Sequence, residues 1–383
     1  MTDHAYPPAA VLVVDALVTN GAVHITVDLA HRWREHGATL AVLNHPGDLP
    51  AVAIPDGTTV VYLASTPGRL RRHLLSGFLR LARTVRRSEA VLNGSEIGMG
   101  LLLSYLAARL TRRPLIIAVH ADLDEALAEW ISPFQERLTR YVHRHADAAI
   151  CIADGVVDAI VRNGLPRARI TVIRNGIDVA AVQARAASGD GIVAPGLPTV
   201  VATGRLAPQK AYDILLQAHA QLVDRVPHRI VIINDGPDRE ALGALAAQLG
   251  VADTVTFAGV MENPLPSVAQ ATVFCLPSRH EGLPLALLEA LALGVPCIAS
   301  DSSPGVREAL DGGRVGDLIP VEDVPALVAS LEDALTRPER LRAKAALGPE
   351  HARTFDVERM AEGWAEALSR ASRRHGRGAR RSR

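Results

Sequence analysis

The sequence predicts an α/β chain of two Rossmann-like halves, each a parallel sheet covered by helices, facing one another across a cleft. Three observations predict it. Short apolar runs alternate with helical patterns along most of the chain. The first run, Ala10 to Leu17, breaks at Val18-Thr19-Asn20-Gly21-Ala22, becomes helical and then returns to a strand, the opening unit of a Rossmann-like half. The pattern lapses into small residues, Gly and Pro around Ala184 to Pro198, then begins again.

In chain order, the helical pattern from Val23 to His36 closes at Gly37, a residue suited to a left-handed C-cap. Strands follow at Ala38–Leu43, Thr58–Leu63, Ala90–Asn93, Leu115–His120, Ala148–Ala153 and Ile170–Ile173. The longest helical patterns between them are Arg69–Arg87, Ile97–Leu110 and Asp124–His145. The second half places strands at Thr199–Thr203, Arg229–Ile233, Val255–Phe257, Val273–Leu276, Cys297–Ser300 and Val315–Ile319. Its helices are expected near Lys210–Val226, Arg239–Leu249, Pro284–Leu293, Val306–Leu310 and Val324–Leu335. These spans predict a first domain over 1–190 and a second over 191–354. A last helix over 355–383 is expected to cross back to the first domain and to end in a disordered basic tail.

The totals exclude several classes. No apolar run reaches the roughly 18 residues of a spanning helix. The start, Met1-Thr2-Asp3-His4, lacks the basic flank of a cleavable leader, so a cytoplasmic location is expected. Cys151, Cys275 and Cys297 sit in apolar runs without paired spacing and read as buried thiols. Basic and acidic residues balance at 41 each, but Arg370 to Arg383 holds seven arginines and no acid. The rest of the chain is therefore net negative, which argues against nucleic acid as a partner. The tail and the arginine- and leucine-bearing Arg69–Arg87 helix leave weak association with an anionic membrane surface open.

The chemistry gathers at loops that follow strands. Ser278 to Ala290 leads from a strand through Glu281-Gly282-Leu283-Pro284 into a helix that is apolar except for Glu289. A glycine-containing loop at a helix N-terminus is a seat for an anion such as phosphate. Two carboxylates beside it suit a ligand that also carries hydroxyls, as a sugar nucleotide does. Gly204-Arg205-Leu206-Ala207-Pro208-Gln209-Lys210 follows the first strand of the second half, so Arg205 and Lys210 can converge on one diphosphate. Only Lys210 and Lys344 are lysines in a chain otherwise reliant on arginine, which singles out Lys210. Asn234-Asp235-Gly236-Pro237 supplies a third loop, readable also as plain turn chemistry. His120 ends a buried strand, where an imidazole can meet a sugar hydroxyl. Gly21 suits either a close approach to phosphate or an ordinary tight turn.

Taken together these loops resemble those of the retaining GT-B glycosyltransferases, in particular family 4. The resemblance rests on Gly204-Arg205-Leu206 with Gln209-Lys210, on Gly236-Pro237, on Glu281-Gly282-Leu283-Pro284 with Glu289, on Gly305 and Glu308, and on Asn175-Gly176-Ile177-Asp178. It implies that Arg205 and Lys210 bind the donor diphosphate and that Glu289 accepts from the ribose hydroxyls. Glu281 and the backbone of Gly282 and Leu283 would hold sugar hydroxyls and phosphate. Gly21 would reach the phosphate or acceptor, and His120 the donor sugar. It implies a UDP- or GDP-sugar donor, a soluble or lipid-linked hydroxyl acceptor, and neither metal nor cofactor. The chain departs from the family at Asn20-Gly21, where a double glycine is common. It departs again at Ala211, where glycine or asparagine often stands, and at Asn234, where glycine often begins the turn. An epimerase of sugar nucleotides and a non-catalytic binding module share this architecture. A nicotinamide dehydrogenase is disfavoured, because neither half carries G-x-G-x-x-G.

Overall fold

The computed structural model of the protein describes residues 9–17, 21–45, 52, 54–64, 74–95, 97–120, 123–124, 127 and 132–381, with side chains through residue 376. The chain forms two compact units, residues 1–175 with 358–383, and residues 176–357.

The first unit is built on a seven-stranded parallel sheet: β1 (Ala10–Val14), β2 (Thr39–Val42), β3 (Val60–Tyr62), β4 (Ala90–Asn93), β5 (Leu115–Val119), β6 (Ala148–Cys151) and β7 (Ile170–Val172). Their order is β3-β2-β1-β4-β5-β6-β7, so the winding reverses between β1 and β4. Five described helices cover it: α1 (Gly21–Arg32), α2 (Leu74–Arg86), α3 (Met99–Thr111), α4 (Pro133–Arg144) and α5 (Val157–Arg162). Every residue of β1, β4 and β5 is buried, as expected of a sheet covered on both faces. The Val23–His36 pattern is two pieces, α1 and a 3₁₀ turn over Arg34–His36. Gly37 closes that turn at φ +79° by donating its N–H to the Arg34 carbonyl.

The second unit carries β8 (Thr199–Thr203), β9 (Arg229–Ile233), β10 (Val255–Gly259), β11 (Val273–Leu276), β12 (Cys297–Ser300) and β13 (Asp317–Ile319), all parallel, in the order β10-β9-β8-β11-β12-β13. Here the winding reverses between β8 and β11. Alternate residues enter opposite cores: Val201, Val231 and Phe274 join one apolar cluster, and Val200, Ile230 and Cys275 the other. Its helices are α6 (Val179–Ala186), α7 (Tyr212–Leu222), α8 (Arg239–Gln248), α9 (Leu265–Ala269), α10 (Leu285–Ala292), α11 (Pro304–Ala309), α12 (Val324–Thr336), α13 (Glu339–Ala345) and α14 (Gly348–Ala352).

The structure differs from the sequence reading around residue 184 and at the last helix. Residues 184–186 complete α6, which Asp178 caps by accepting the Ala181 N–H at 2.9 Å, so the irregular stretch starts later. The compact units divide ahead of it, between Asn175 and Gly176. A side chain on Gly176 would fall 2.5 Å from the Val357 Cα, and the Ile177 N–H donates to the Phe355 carbonyl at 2.7 Å. This pairing ties residue 177 to the unit that follows it. The last helix, α15 (Val357–Arg381), also continues through the arginine-rich run where a disordered tail was expected. Arginine and alanine are good helix formers, and the buried Trp364, Leu368 and Ala371 hold one face of α15 against the first unit. Arg69–His73, the start of one expected helix, lie outside the described residues, as do Val18-Thr19-Asn20 and residues 125–126 and 128–131 of the expected Asp124–His145 helix.

Candidate active site

Ligands of open parallel sheets gather at the carboxyl ends of the strands where the winding reverses. In the second unit those strands are β8 and β11, and their loops carry Arg205, Lys210 and Glu281. The β8 loop turns through a 3₁₀ segment at Pro208–Lys210 and enters α7 through Ala211, which sits in the left-handed region at φ +50°. That geometry explains why glycine or asparagine suits this position. Asn234, at φ +116°, does the same for the β9 loop.

The two loops are bound together. Lys210 Nζ donates to Glu281 Oε1 at 2.5 Å, and the Ser278 hydroxyl donates to the same oxygen at 2.7 Å. Both side chains are largely buried, Glu281 7% exposed and Lys210 18%. Gln209 Nε2 donates to the His280 carbonyl at 3.0 Å, and the Arg279 N–H donates to the Gln209 carbonyl at 2.8 Å. The Arg279 guanidinium spans Asp213 at 2.7 Å and Glu322 at 2.6 Å, which fastens the β11 loop to α7. Arg205 is exposed at the mouth of the β8 loop. Lys210 is therefore a partnered cation with its charge aimed at Glu281, while Arg205 is an exposed residue of the same loop.

Gly282 and Leu283 are buried and lead through Pro284 into α10. Pro284 lies just before the helix rather than in its first turn. A Cβ on Gly305 would lie 2.0 Å from the Gly282 carbonyl oxygen, so α11 can approach this loop only through glycine. The Ser303 hydroxyl accepts the Val306 N–H at 3.1 Å to cap α11 and donates to the Gly282 carbonyl at 3.0 Å. Gly236 plays a matching part beside Arg205: its Cβ would fall 2.3 Å from the Leu206 carbonyl oxygen. Glu308 is exposed on α11.

Glu289 projects from α10 among apolar neighbours, and its carboxyl group has no hydrogen bond among the described residues. Burial lifts its pKa to about 7, with Arg185 pulling the other way. A half-buried carboxylate of this kind accepts donors readily when a ligand supplies them.

Two expected site residues belong to the first unit. Gly21 is the exposed first residue of α1. His120 follows β5 directly, and burial pushes its pKa down to about 4, so the imidazole is neutral near pH 7. Sequence reasoning missed Asp15, which follows β1 at the reversal point of the first sheet. Its N–H donates to the Ser95 hydroxyl at 3.3 Å, and its carbonyl accepts the Asn44 side-chain amide at 2.9 Å. Burial raises the Asp15 carboxyl to about 6 against the opposing Gly100 N–H. The signal was present: an acid closing an otherwise apolar strand. Ser278, Arg279 and Asp213 were also missed, because their roles depend on the meeting of two distant loops.

The paired parallel-sheet units are those of a GT-B protein. The family model described as Glycosyltransferase Family 4 matches residues 19–181, and the one described as Glycosyl transferases group 1 matches residues 197–337. The chain belongs to these family 4, group 1 glycosyltransferases. It is 37% identical over 161 residues to a GDP-mannose-dependent alpha-(1-6)-phosphatidylinositol monomannoside mannosyltransferase of Mycolicibacterium smegmatis. That match covers 39% of this chain and 42% of the relative, less than half of its length. It is 27% identical over 336 residues to the alpha-D-kanosaminyltransferase of Streptomyces kanamyceticus, covering 82% of this chain and 83% of that one. Among solved structures, Anabaena HepE in complex with UDP and glucose superposes with a TM-score of 0.77 at 20% identity, over 94% of this chain and 99% of that one.

Proposed function

We propose that the protein transfers a sugar from a nucleoside-diphosphate sugar, UDP- or GDP-linked, to a hydroxyl acceptor with retention of anomeric configuration. The observation that carries this reading is the β8–β11 loop cluster, in which Lys210 is held at 2.5 Å from Glu281 and the same β8 loop carries the exposed Arg205. Arg205 and Lys210 offset the charge that develops on the departing diphosphate, the work a metal ion does elsewhere. The Gly282 and Leu283 backbone meets phosphate, Glu281 the sugar hydroxyls, and Glu289 the ribose hydroxyls.

The acceptor oxygen attacks the anomeric carbon on the face that the diphosphate leaves. The bond from that carbon to the phosphate oxygen breaks, and the acceptor proton passes to the departing phosphate. A neutral His120 fits a hydrogen bond to the donor sugar, and Asp15 fits recognition of the acceptor hydroxyls. In this proposal the donor domain is 191–354 and the acceptor-side domain is 1–190. A cytoplasmic location belongs to the same proposal.

The test is incubation of purified protein with UDP-, GDP- and dTDP-sugars and a panel of hydroxyl acceptors, following nucleotide release. Acceptor-dependent release with one α-configured donor supports the reading. Epimerisation of donor alone would assign an epimerase, and binding without turnover would assign a binding module.

A further inference from the structure

A second concavity lies at the amino ends of β6 and β7, away from the strand ends that carry His120 and Asp15. It is an open hollow of about 230 Å³. Alanines of β6 and α15 (Ala148, Ala367 and Ala371) line its floor, and Arg169, Arg370 and Arg374 stand around it. Arg374 donates to the Ala168 carbonyl at 2.8 Å, which holds its guanidinium at the rim.

None of these three arginines has a carboxylate partner among the described residues. Arg140, by contrast, pairs with Asp124 and Glu136, and Arg340 with Asp317 and Asp333. The acid beside the concavity, Asp147, is already engaged. It meets His375 at 3.0 Å, Arg109 at 3.5 Å and the Leu115 N–H at 2.9 Å. The three arginines are exposed, so solvent screens their mutual repulsion, but their positive charges around one small-floored hollow favour an anion there. Guanidinium forks match the oxygens of phosphate, and a doubly charged group balances three cations better than a carboxylate does.

We propose that this pocket binds a phosphate ester, separate from the donor diphosphate. The ester can come from a soluble metabolite or from the headgroup of an anionic phospholipid; the phosphate chemistry is shared. The proposal does not depend on the catalytic reading, since none of its residues belongs to the loops after β8 and β11.

The experiment titrates the full chain with inorganic phosphate and glycerol 3-phosphate by calorimetry, and sediments it with phosphatidylglycerol or phosphatidylcholine vesicles. The comparison proteins are Arg169→Gln/Arg370→Gln, the single exposed-site variant Arg370→Glu, Arg337→Gln as a charge-matched control in the second unit, and Arg205→Ala. The expected result is saturable binding that falls roughly 30-fold in the double variant. Binding persists in the control and in Arg205→Ala. Capture on phosphatidylglycerol vesicles, reversed by glycerol 3-phosphate, assigns the lipid source; binding of soluble ester alone assigns the soluble one. No saturable binding of any probe, or binding unchanged in both pocket variants, overturns the proposal. The same holds if Arg205→Ala alone abolishes it.

Discussion

Lys210 Nζ lies 2.5 Å from Glu281 Oε1, joining residues 71 apart in the chain across the reversal point of the second sheet. Removing one partner leaves the other buried and unpaired. Lys210→Met is expected to lower unfolding free energy by about 2 kcal/mol, below the full cost of breaking a deeply buried pair because Lys210 keeps some solvent. Lys210→Met/Glu281→Gln recovers part of that stability and none of the turnover. Thermal unfolding alongside nucleotide release checks both. A double variant no more stable than the single would remove the pair from the account of stability.

Gly305→Ala tests the packing beneath the anion seat. The added methyl meets the Gly282 carbonyl at 2.0 Å, so the Gly282-Leu283 loop must shift. A shift of this size near a phosphate costs on the order of 10²-fold in kcat/KM. The change should appear without loss of the α/β circular dichroism signature. Wild-type kinetics in Gly305→Ala would mean that the loop does not hold the donor.

Glu289 gives a pH dependence of definite sign. Its folded pKa, about 7, is above the ordinary carboxylate value, so the folded state binds the extra proton between roughly pH 4.5 and 7. Stability from this group is present at low pH and is lost as pH rises through 7. Glu289→Gln is therefore more stable than wild type at pH 8, by about 3 kcal/mol at most, and equal to it near pH 4. It should bind nucleotide more weakly at both. A variant less stable at pH 8 would contradict the assignment.

A buried histidine pair produces the opposite slope. His219 Nδ1 lies 2.9 Å from His228 Nε2, His219 Nε2 lies 2.8 Å from the Thr254 hydroxyl, and His228 Nδ1 lies 2.7 Å from the Val226 carbonyl. With His228 donating to Val226 and His219 donating to His228, both rings are neutral when the Thr254 hydroxyl turns its single proton to His219 rather than to the Val251 carbonyl 3.0 Å away. Burial pushes His219 down to about 3 and lowers His228 as well. The stability of the neutral pair is whole above the unfolded value near 6.5 and falls as pH drops towards 3. Urea titrations should show a loss of about 1.4 kcal/mol per pH unit for each proton taken up on unfolding. His219→Gln should flatten that slope.

Much of this fold was legible because a parallel sheet buries both faces of its strands. Val273–Leu276 is a continuous apolar run and Ala90–Asn93 is one up to its last residue, and both are strands over those residues. Short helices such as α9, α13 and α14 escaped, since five to seven residues carry less than two turns of periodicity. The donor-side loops could be read from residue type alone: two cations, two carboxylates and the glycines between them. Arg279 with Asp213, and Asp15 with Ser95, could not. Their roles come from contacts between loops that only the sheet order brings together.

The most direct test of the central claim is the dissociation constant of UDP and GDP for wild type, Arg205→Ala and Lys210→Ala, measured by calorimetry with the fold verified by thermal unfolding. The account predicts that one nucleotide binds the wild type and that each variant weakens it by roughly 10- to 100-fold, the loss of one charge-assisted contact to phosphate. Equal affinity in all three proteins, or no binding of either nucleotide by the wild type, would contradict it.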